Sequence, residues 1–165
     1  MGPAAEADVA DIIKELRARY NPGKVLLTGG SMGGTSALIF AARNAALIDG
    51  VYALCPATDT AEIFPSFSDQ FLKSYGGSPT EVPEVYRERS SRHYADELSG
   101  LPVAIIHGDE DALLPVSHSR ILVESLRTQN ARLQYVEIEG CGHDALAPAD
   151  VPVAMDFLFR AGEAQ

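Results

Sequence analysis

Residues 24 to 40 read KVLLTGGSMGGTSALIF, and this stretch constrains the fold more than any other in the chain. A short apolar run, Val25 to Thr28, lacks the alternation of a half-exposed strand, as expected for burial on both faces of a parallel sheet. It meets Gly29-Gly30-Ser31-Met32-Gly33-Gly34, and a small-residue helical pattern over Met32 to Arg43 follows at once. The turn between them must reverse the chain tightly and let helix and strand approach closely, and glycine permits both. A strand feeding directly into a helix in this way predicts an α/β domain.

The remaining pattern agrees. Val9, Ile12, Ile13, Leu16 and Tyr20 recur at helical spacing, so residues 5 to 20 are expected to form a helix that stops at Asn21-Pro22-Gly23. Leu47 to Leu54 and Pro102 to Ile106 read as a second and a third strand. Ser117 to Thr128 reads as a helix, and Leu133 to Ile138 as a fourth strand whose clearer alternation suits a sheet edge. Val151 to Phe159 closes the pattern as a helix. Strands and helices alternate, which predicts one domain over residues 1 to 165 with a mainly parallel sheet of about four strands flanked by helices. Residues 57 to 99 lack strand character and are expected to form a helical, cap-like or substrate-binding insertion after the second strand.

Composition narrows the function classes. A net charge of -10 without any lysine- or arginine-dense run argues against a nucleic-acid partner. No apolar stretch approaches the ~20 residues of a membrane span. The first residues carry neither a basic segment nor an apolar signal core, and Glu6 stands where a myristoylation motif needs Ser or Thr. With two widely separated cysteines, Cys55 and Cys141, neither a disulfide framework nor a zinc site is expected, and the default location is the cytoplasm.

Ligands of open α/β sheets bind at the carboxyl ends of the strands, so the residues that follow each strand carry the chemistry. After the first strand comes Ser31, on a strand-to-helix turn that would expose its hydroxyl, with the N–H groups of a helix start behind it. A phosphate-binding loop would need a lysine after the glycines, and Thr35-Ser36 has none before it. After the third strand comes HGDEDALLP, and after the fourth EGCGHDAL. A serine needs a base, and the base needs an acid to orient it. Acids and histidines stand at the ends of two further strands, in the chain order serine, acid, histidine.

On GGSMGG, HGDEDALLP and EGCGHDAL the chain resembles the α/β-hydrolase superfamily, and in particular its carboxylesterase and prolyl-oligopeptidase-like branches. The resemblance implies Ser31 as nucleophile, Asp111 as the orienting acid, His143 as general base and acid, and the Met32 N–H as an oxyanion-hole donor. It implies no metal or organic cofactor. Of the other acids, Asp109 is placed to cap a turn, and Glu110 and Asp144 to be solvated or to accept local hydrogen bonds. His107 reads as a turn-stabilising residue, His93 and His118 as surface or packing residues, and Cys141 as a small packing residue. Phe64, Phe67, Phe71, Tyr75 and Tyr86 are read as packing of short amphipathic helices, with an aromatic-lined acyl or alcohol pocket as the alternative.

Superfamily members carry several strands before the elbow strand, whereas here Val25 to Thr28 comes first. The resemblance is therefore to a truncated α/β hydrolase, its C-terminal half. That leaves the first strand with an open edge, and a homodimer joined through this edge is expected. A second oxyanion donor would also be missing, and one such donor is worth about 10²–10³ in turnover. The expected activity is hydrolysis of small carboxylic esters through an acyl-enzyme. The alternatives are a catalytically silent assembly module and a peptidase-like hydrolase that needs a partner chain.

Overall fold

A computed structural model describes residues 1–129, 131–143 and 150–161. Helix α1 (Pro3–Tyr20) leads into strand β1 (Leu26–Gly30), helix α2 (Met32–Arg43) and strand β2 (Gly50–Leu54). Three short helices follow, α3 (Ser68–Tyr75), α4 (Pro83–Glu88) and α5 (Ala95–Ser99), with 3-10 turns at Phe64–Ser66 before α3 and at Ser91–His93 before α5. Strand β3 (Val103–Gly108), helix α6 (Ser117–Thr128), strand β4 (Leu133–Ile138) and helix α7 (Asp150–Arg160) complete the order. The four strands are parallel and lie in the order β1-β2-β3-β4. No helix among the described residues is long and apolar enough to cross a membrane.

The two central strands are buried throughout, and their alternate residues feed two cores. Val51, Ala53, Val103 and Ile105 face Leu38 and Phe40 of α2, Leu98 of α5, and Leu122 and Leu126 of α6. Tyr52, Leu54, Ala104 and Ile106 face Ala154 and Leu158 of α7. The period of two along each strand thus sorts one apolar run onto helices above and below the sheet.

Strand β1 departs from the expectation of full burial. It is half-exposed, with Thr28 and Gly30 open, because among the described residues its only strand neighbour is β2. Strand β2 begins at Gly50 rather than Leu47, because Ala45–Leu47 coils into a 3-10 turn and Asp49 clamps the strand start instead. The Asp49 carboxylate accepts the Val25 N–H at 2.7 Å and pairs with Arg17 of α1 at 2.6 Å. Helix α1 is held by a second polar clamp. Glu6 pairs with Arg43 at 3.0 Å and with the buried Arg89, and also accepts from Asn44 at 3.0 Å. These ties fix α1 across α2 and the segment after β2, beside the carboxyl end of β1.

Candidate active site

The ladder between β1 and β2 ends at Gly30 opposite Leu54, and the next amide, Ser31 N–H, still donates to the Leu54 carbonyl at 2.8 Å. Ser31 then takes φ 53 and ψ -121, a left-handed region that costs a side-chain-bearing residue about 1–3 kcal/mol. The strain is held from both sides. The Thr35 hydroxyl donates to the Ser31 carbonyl at 3.2 Å and accepts the Ala57 N–H at 2.9 Å, tying the first turn of α2 to the loop after β2. Two glycines make the approach possible. A Cβ at Gly29 would lie 2.4 Å from the Gly33 carbonyl carbon, and one at Gly34 would lie 2.9 Å from the Gly29 oxygen.

The loops after β3 and β4 are bound to one another. Glu110 N–H donates to the Cys141 carbonyl at 2.9 Å, and the Asp109 carboxylate accepts the Gly140 N–H at 2.7 Å. Asp109 thus caps a turn, as the sequence suggests, and the Glu110 side chain is exposed. Gly108 has no room for a side chain, since a Cβ there would meet the Cys141 oxygen at 2.3 Å. Cys141 is half-buried and enters this arrangement through its backbone. Asp144 lies outside the described residues.

These loops bring the three expected side chains together. His143 Nδ1 is 2.7 Å from Asp111 Oδ2, and His143 Nε2 is 2.8 Å from Ser31 Oγ. With the carboxylate accepting from Nδ1–H, Nε2 is left to accept the serine proton. Asp111 is buried, and its Oδ1 accepts the Leu113 and Leu114 N–H groups at 2.9 and 2.8 Å. Burial by itself raises the Asp111 pKa, but the hydrogen bonds from Leu114, His143 and Leu113 outweigh it and hold the carboxyl below its usual range. Met32 opens α2, so its N–H has no carbonyl four residues back in the helix.

A cavity of about 540 Å³ opens beside Ser31. Its apolar wall includes Ile63, Phe67, Phe71, Tyr75, Leu114 and, from α1, Ala5, and no lining side chain is charged. The aromatic residues serve both expectations. Phe64, Phe71, Tyr75 and Tyr86 pack ring against ring at centroid separations of 5.0 to 6.4 Å, while Phe67, Phe71 and Tyr75 also face the cavity. The wall from α1 has no local signal, since it depends on the Glu6 clamp to residues far along the chain. A second cavity of about 290 Å³ lies at the amino ends of the strands, between Lys24, Asp49 and Arg132, away from this chemistry.

His93 is exposed and His118 is buried, its Nδ1 accepting the Thr58 N–H at 3.3 Å. His107 is fully buried, with Nδ1 2.7 Å from Ser119 Oγ and Nε2 2.9 Å from the Leu114 carbonyl. It stabilises the turn, as the sequence suggests. Among the described residues, Cys55, His107 and Asp111 form the only group with metal-ligand chemistry, their ligand atoms within 4.8 Å of one another. Asp111 is already engaged by His143 and two backbone amides, and both His107 nitrogens are taken, so the group is committed to other bonds.

Comparison with known proteins bears on the family and the fold. Residues 5–159 match the prolyl oligopeptidase family. A stretch of 62 residues is 36% identical to Esterase LipC of Mycobacterium tuberculosis, covering 37% of this chain and 15% of that protein. The fold superposes on dipeptidyl peptidase 4 of Porphyromonas gingivalis with a TM-score of 0.80 at 17% identity, over 94% of this chain and 22% of that one. It superposes on a truncated form of a carbohydrate esterase from gut microbiota with a TM-score of 0.77 at 20% identity, over 94% of this chain and 67% of that one. The chain therefore spans about a fifth of the peptidase and less of the curated esterase.

Proposed function

Because the chain belongs to the prolyl oligopeptidase family, we propose that it is a serine hydrolase that cleaves small carboxylic esters through an acyl-enzyme. The observation that carries this reading is the run of two short hydrogen bonds from Asp111 through His143 to Ser31. Ser31 Oγ attacks the ester carbonyl while His143 Nε2 takes its proton, and Asp111 stabilises the resulting imidazolium. The Met32 N–H holds the developing oxyanion. Collapse of the adduct expels the alcohol, which receives the proton from His143. Water deprotonated by the same nitrogen then attacks the acyl-enzyme and releases the acid.

An apolar cavity without charged side chains suits a neutral acyl group. Each acyl methylene buried there is worth about 0.8 kcal/mol, so acyl esters should gain roughly fourfold in kcat/KM per carbon until the cavity fills. Esters are favoured over peptides because an alkoxide leaves more readily than an amine. Two relatives that carry an esterase name support the same choice. The reading includes a homodimer formed by pairing of the outer edge of β1 with that of a second copy, to be tested by sedimentation of the wild type and of Thr28→Pro.

Intact-mass measurement after exposure to a small fluorophosphonate, followed by peptide mapping, tests the chemistry. The expected result is one adduct, on Ser31, absent in Ser31→Ala and His143→Ala. A folded wild-type protein that takes no adduct sinks the autonomous-enzyme reading. Turnover of peptides but not of matched esters would replace the esterase with a peptidase.

A further inference from the structure

The proposed mechanism uses one histidine, yet two histidines touch its acid. His107, the penultimate residue of β3, has no accessible surface, and its Nε2 lies 3.2 Å from Asp111 Oδ2 as well as 2.9 Å from the Leu114 carbonyl oxygen. A carbonyl oxygen can only accept, so Nε2 carries the ring proton. Nδ1, 2.7 Å from Ser119 Oγ on α6, is then the acceptor of the serine hydroxyl proton. The opposite tautomer would set a nitrogen lone pair against both a carbonyl and a carboxylate. Burial lowers the His107 pKa, which keeps the ring neutral and the tautomer defined.

From this geometry we propose that His107 is a positioning residue for Asp111, its Nε2–H steering the carboxylate oxygen that receives His143. The two carboxylate oxygens have different anchors. Oδ1 is fixed by the backbone amides of Leu113 and Leu114, whereas Oδ2 is met only by imidazoles among the described contacts. His143 is partly exposed and has to exchange protons with Ser31 and the leaving group. His107 is sealed in the core, so it holds Oδ2 in place while His143 works. Ser119 holds His107 in turn, and the chain of contacts runs from α6 through the ends of β3 and β4 to the elbow at α2. The leucine carbonyl that orients Nε2 belongs to the residue whose amide binds Oδ1. The segment 111–114 therefore folds back onto the strand end and sets both halves of the carboxylate at once.

The inference rests on the triad reading, and the experiment separates the two. His107→Gln keeps a side-chain N–H donor with about the reach of Nε2, and His107→Leu keeps bulk without a donor. Two quantities are read on folded protein: the rate constant for fluorophosphonate labelling of Ser31, and the downfield proton resonance of His143 Nδ1–H. His107→Leu is expected to slow labelling on the order of ten- to a hundredfold, as displacement of a reacting group by a fraction of an ångström to an ångström does. It is also expected to move the His143 resonance upfield or abolish it, and His107→Gln is expected to recover most of both. Wild-type labelling and an unmoved resonance in His107→Leu would reduce His107 to packing and overturn the proposal. If the wild type does not label, the hydrolase reading fails, while the His143 resonance still reports whether His107 governs the Asp111–His143 bond. Nitrogen-15 spectra of the wild type decide the matter even if both variants misfold. The proton must be found on His107 Nε2, and finding it on Nδ1 refutes the proposal.

Discussion

Replacing Gly29 by alanine and Gly33 by alanine should have opposite effects, although the G-x-S-x-G pattern weights the two positions equally. A methyl at Gly29 would lie 2.4 Å from the Gly33 carbonyl carbon, 2.5 Å from its oxygen and 2.8 Å from the Gly34 nitrogen. Carbon atoms in good contact sit about 3.5–4.0 Å apart, so the overlap is about 1 Å. The obstacle is backbone, and no rotamer relieves it. Strand β1 and helix α2 must separate, but β1 is bonded along its length to β2, and α2 is locked by the buried Leu38 and Phe40. Overpacking in a well-packed core costs about 1–3 kcal/mol, and a clash with main chain on both sides belongs at the upper end of that range. The same displacement carries Ser31 off line by up to an ångström, for a further loss of about 10²-fold in its reaction rate. A Cβ at Gly33 meets nothing within 4 Å. Alanine there gains helix propensity and should be neutral or stabilising by up to about 1 kcal/mol. The chain has no tryptophan, so urea unfolding followed by far-UV circular dichroism reads stability, and fluorophosphonate labelling reads the serine. Gly29→Ala within about 0.5 kcal/mol of wild type, the usual range of harmless surface changes, would refute the argument, as would equal damage from Gly33→Ala.

The strain at Ser31 predicts that Ser31→Gly is more stable than Ser31→Ala by about 1 kcal/mol, since both lose the hydroxyl and only glycine is at ease at positive φ; equal urea midpoints would show an unstrained elbow. Glu6→Gln should destabilise by about 3 kcal/mol in the same assay, because it leaves the nearly inaccessible Arg89 guanidinium without its counter-charge. A loss below about 0.5 kcal/mol would mean that the clamp on α1 is a surface contact. The pH dependence should fall in two stages. Burial lowers the pKa of His107 and His118, so the unfolded chain binds more protons than the native one, and stability declines as pH drops below about 6.5. In Asp111 and Glu6, burial is outweighed by hydrogen bonds, from Leu114, His143 and Leu113 in the first and from Arg89, Asn44 and Arg43 in the second, and both pKa values are lowered. Their contribution is intact above about pH 4 and is lost as pH falls through the native values. A urea midpoint that does not change between pH 7.5 and 5.5 would contradict the first stage, and Glu6→Gln should flatten the second.

What could be read in the sequence follows from how far apart in the chain each feature is decided. Met32–Arg43, Ser117–Thr128 and Leu133–Ile138 fold over the spans their periodicity predicts, because each pattern is complete within its own segment. The end of β1 is not. Two glycines should end a strand at Thr28, yet the ladder runs on through Gly29 and Gly30, because pairing with Ala53 and Leu54 outweighs local preference. That the segments carrying Ser31, Asp111 and His143 would meet was legible for a topological reason, since parallel strands deliver their carboxyl ends to one edge of the sheet, whereas the choice of Asp111 over Asp109 and Glu110 rested on the motif resemblance. The contact of His107 with Asp111 was not legible. It requires the 109–114 loop to fold back until the Leu114 carbonyl meets a ring seven residues earlier, and no spacing rule encodes that return. The cavity wall from α1 is hidden for the same reason, since Glu6 reaches Arg89 across 83 positions. Under the proposed hydrolase reading, reactivity and selectivity draw on largely different segments, with Leu114 shared between them. On that reading, substitutions expected to change whether Ser31 reacts belong at the ends of β1, β3 and β4, and those expected to change what it accepts belong on α3 and on the face of α1 that Glu6 holds in place.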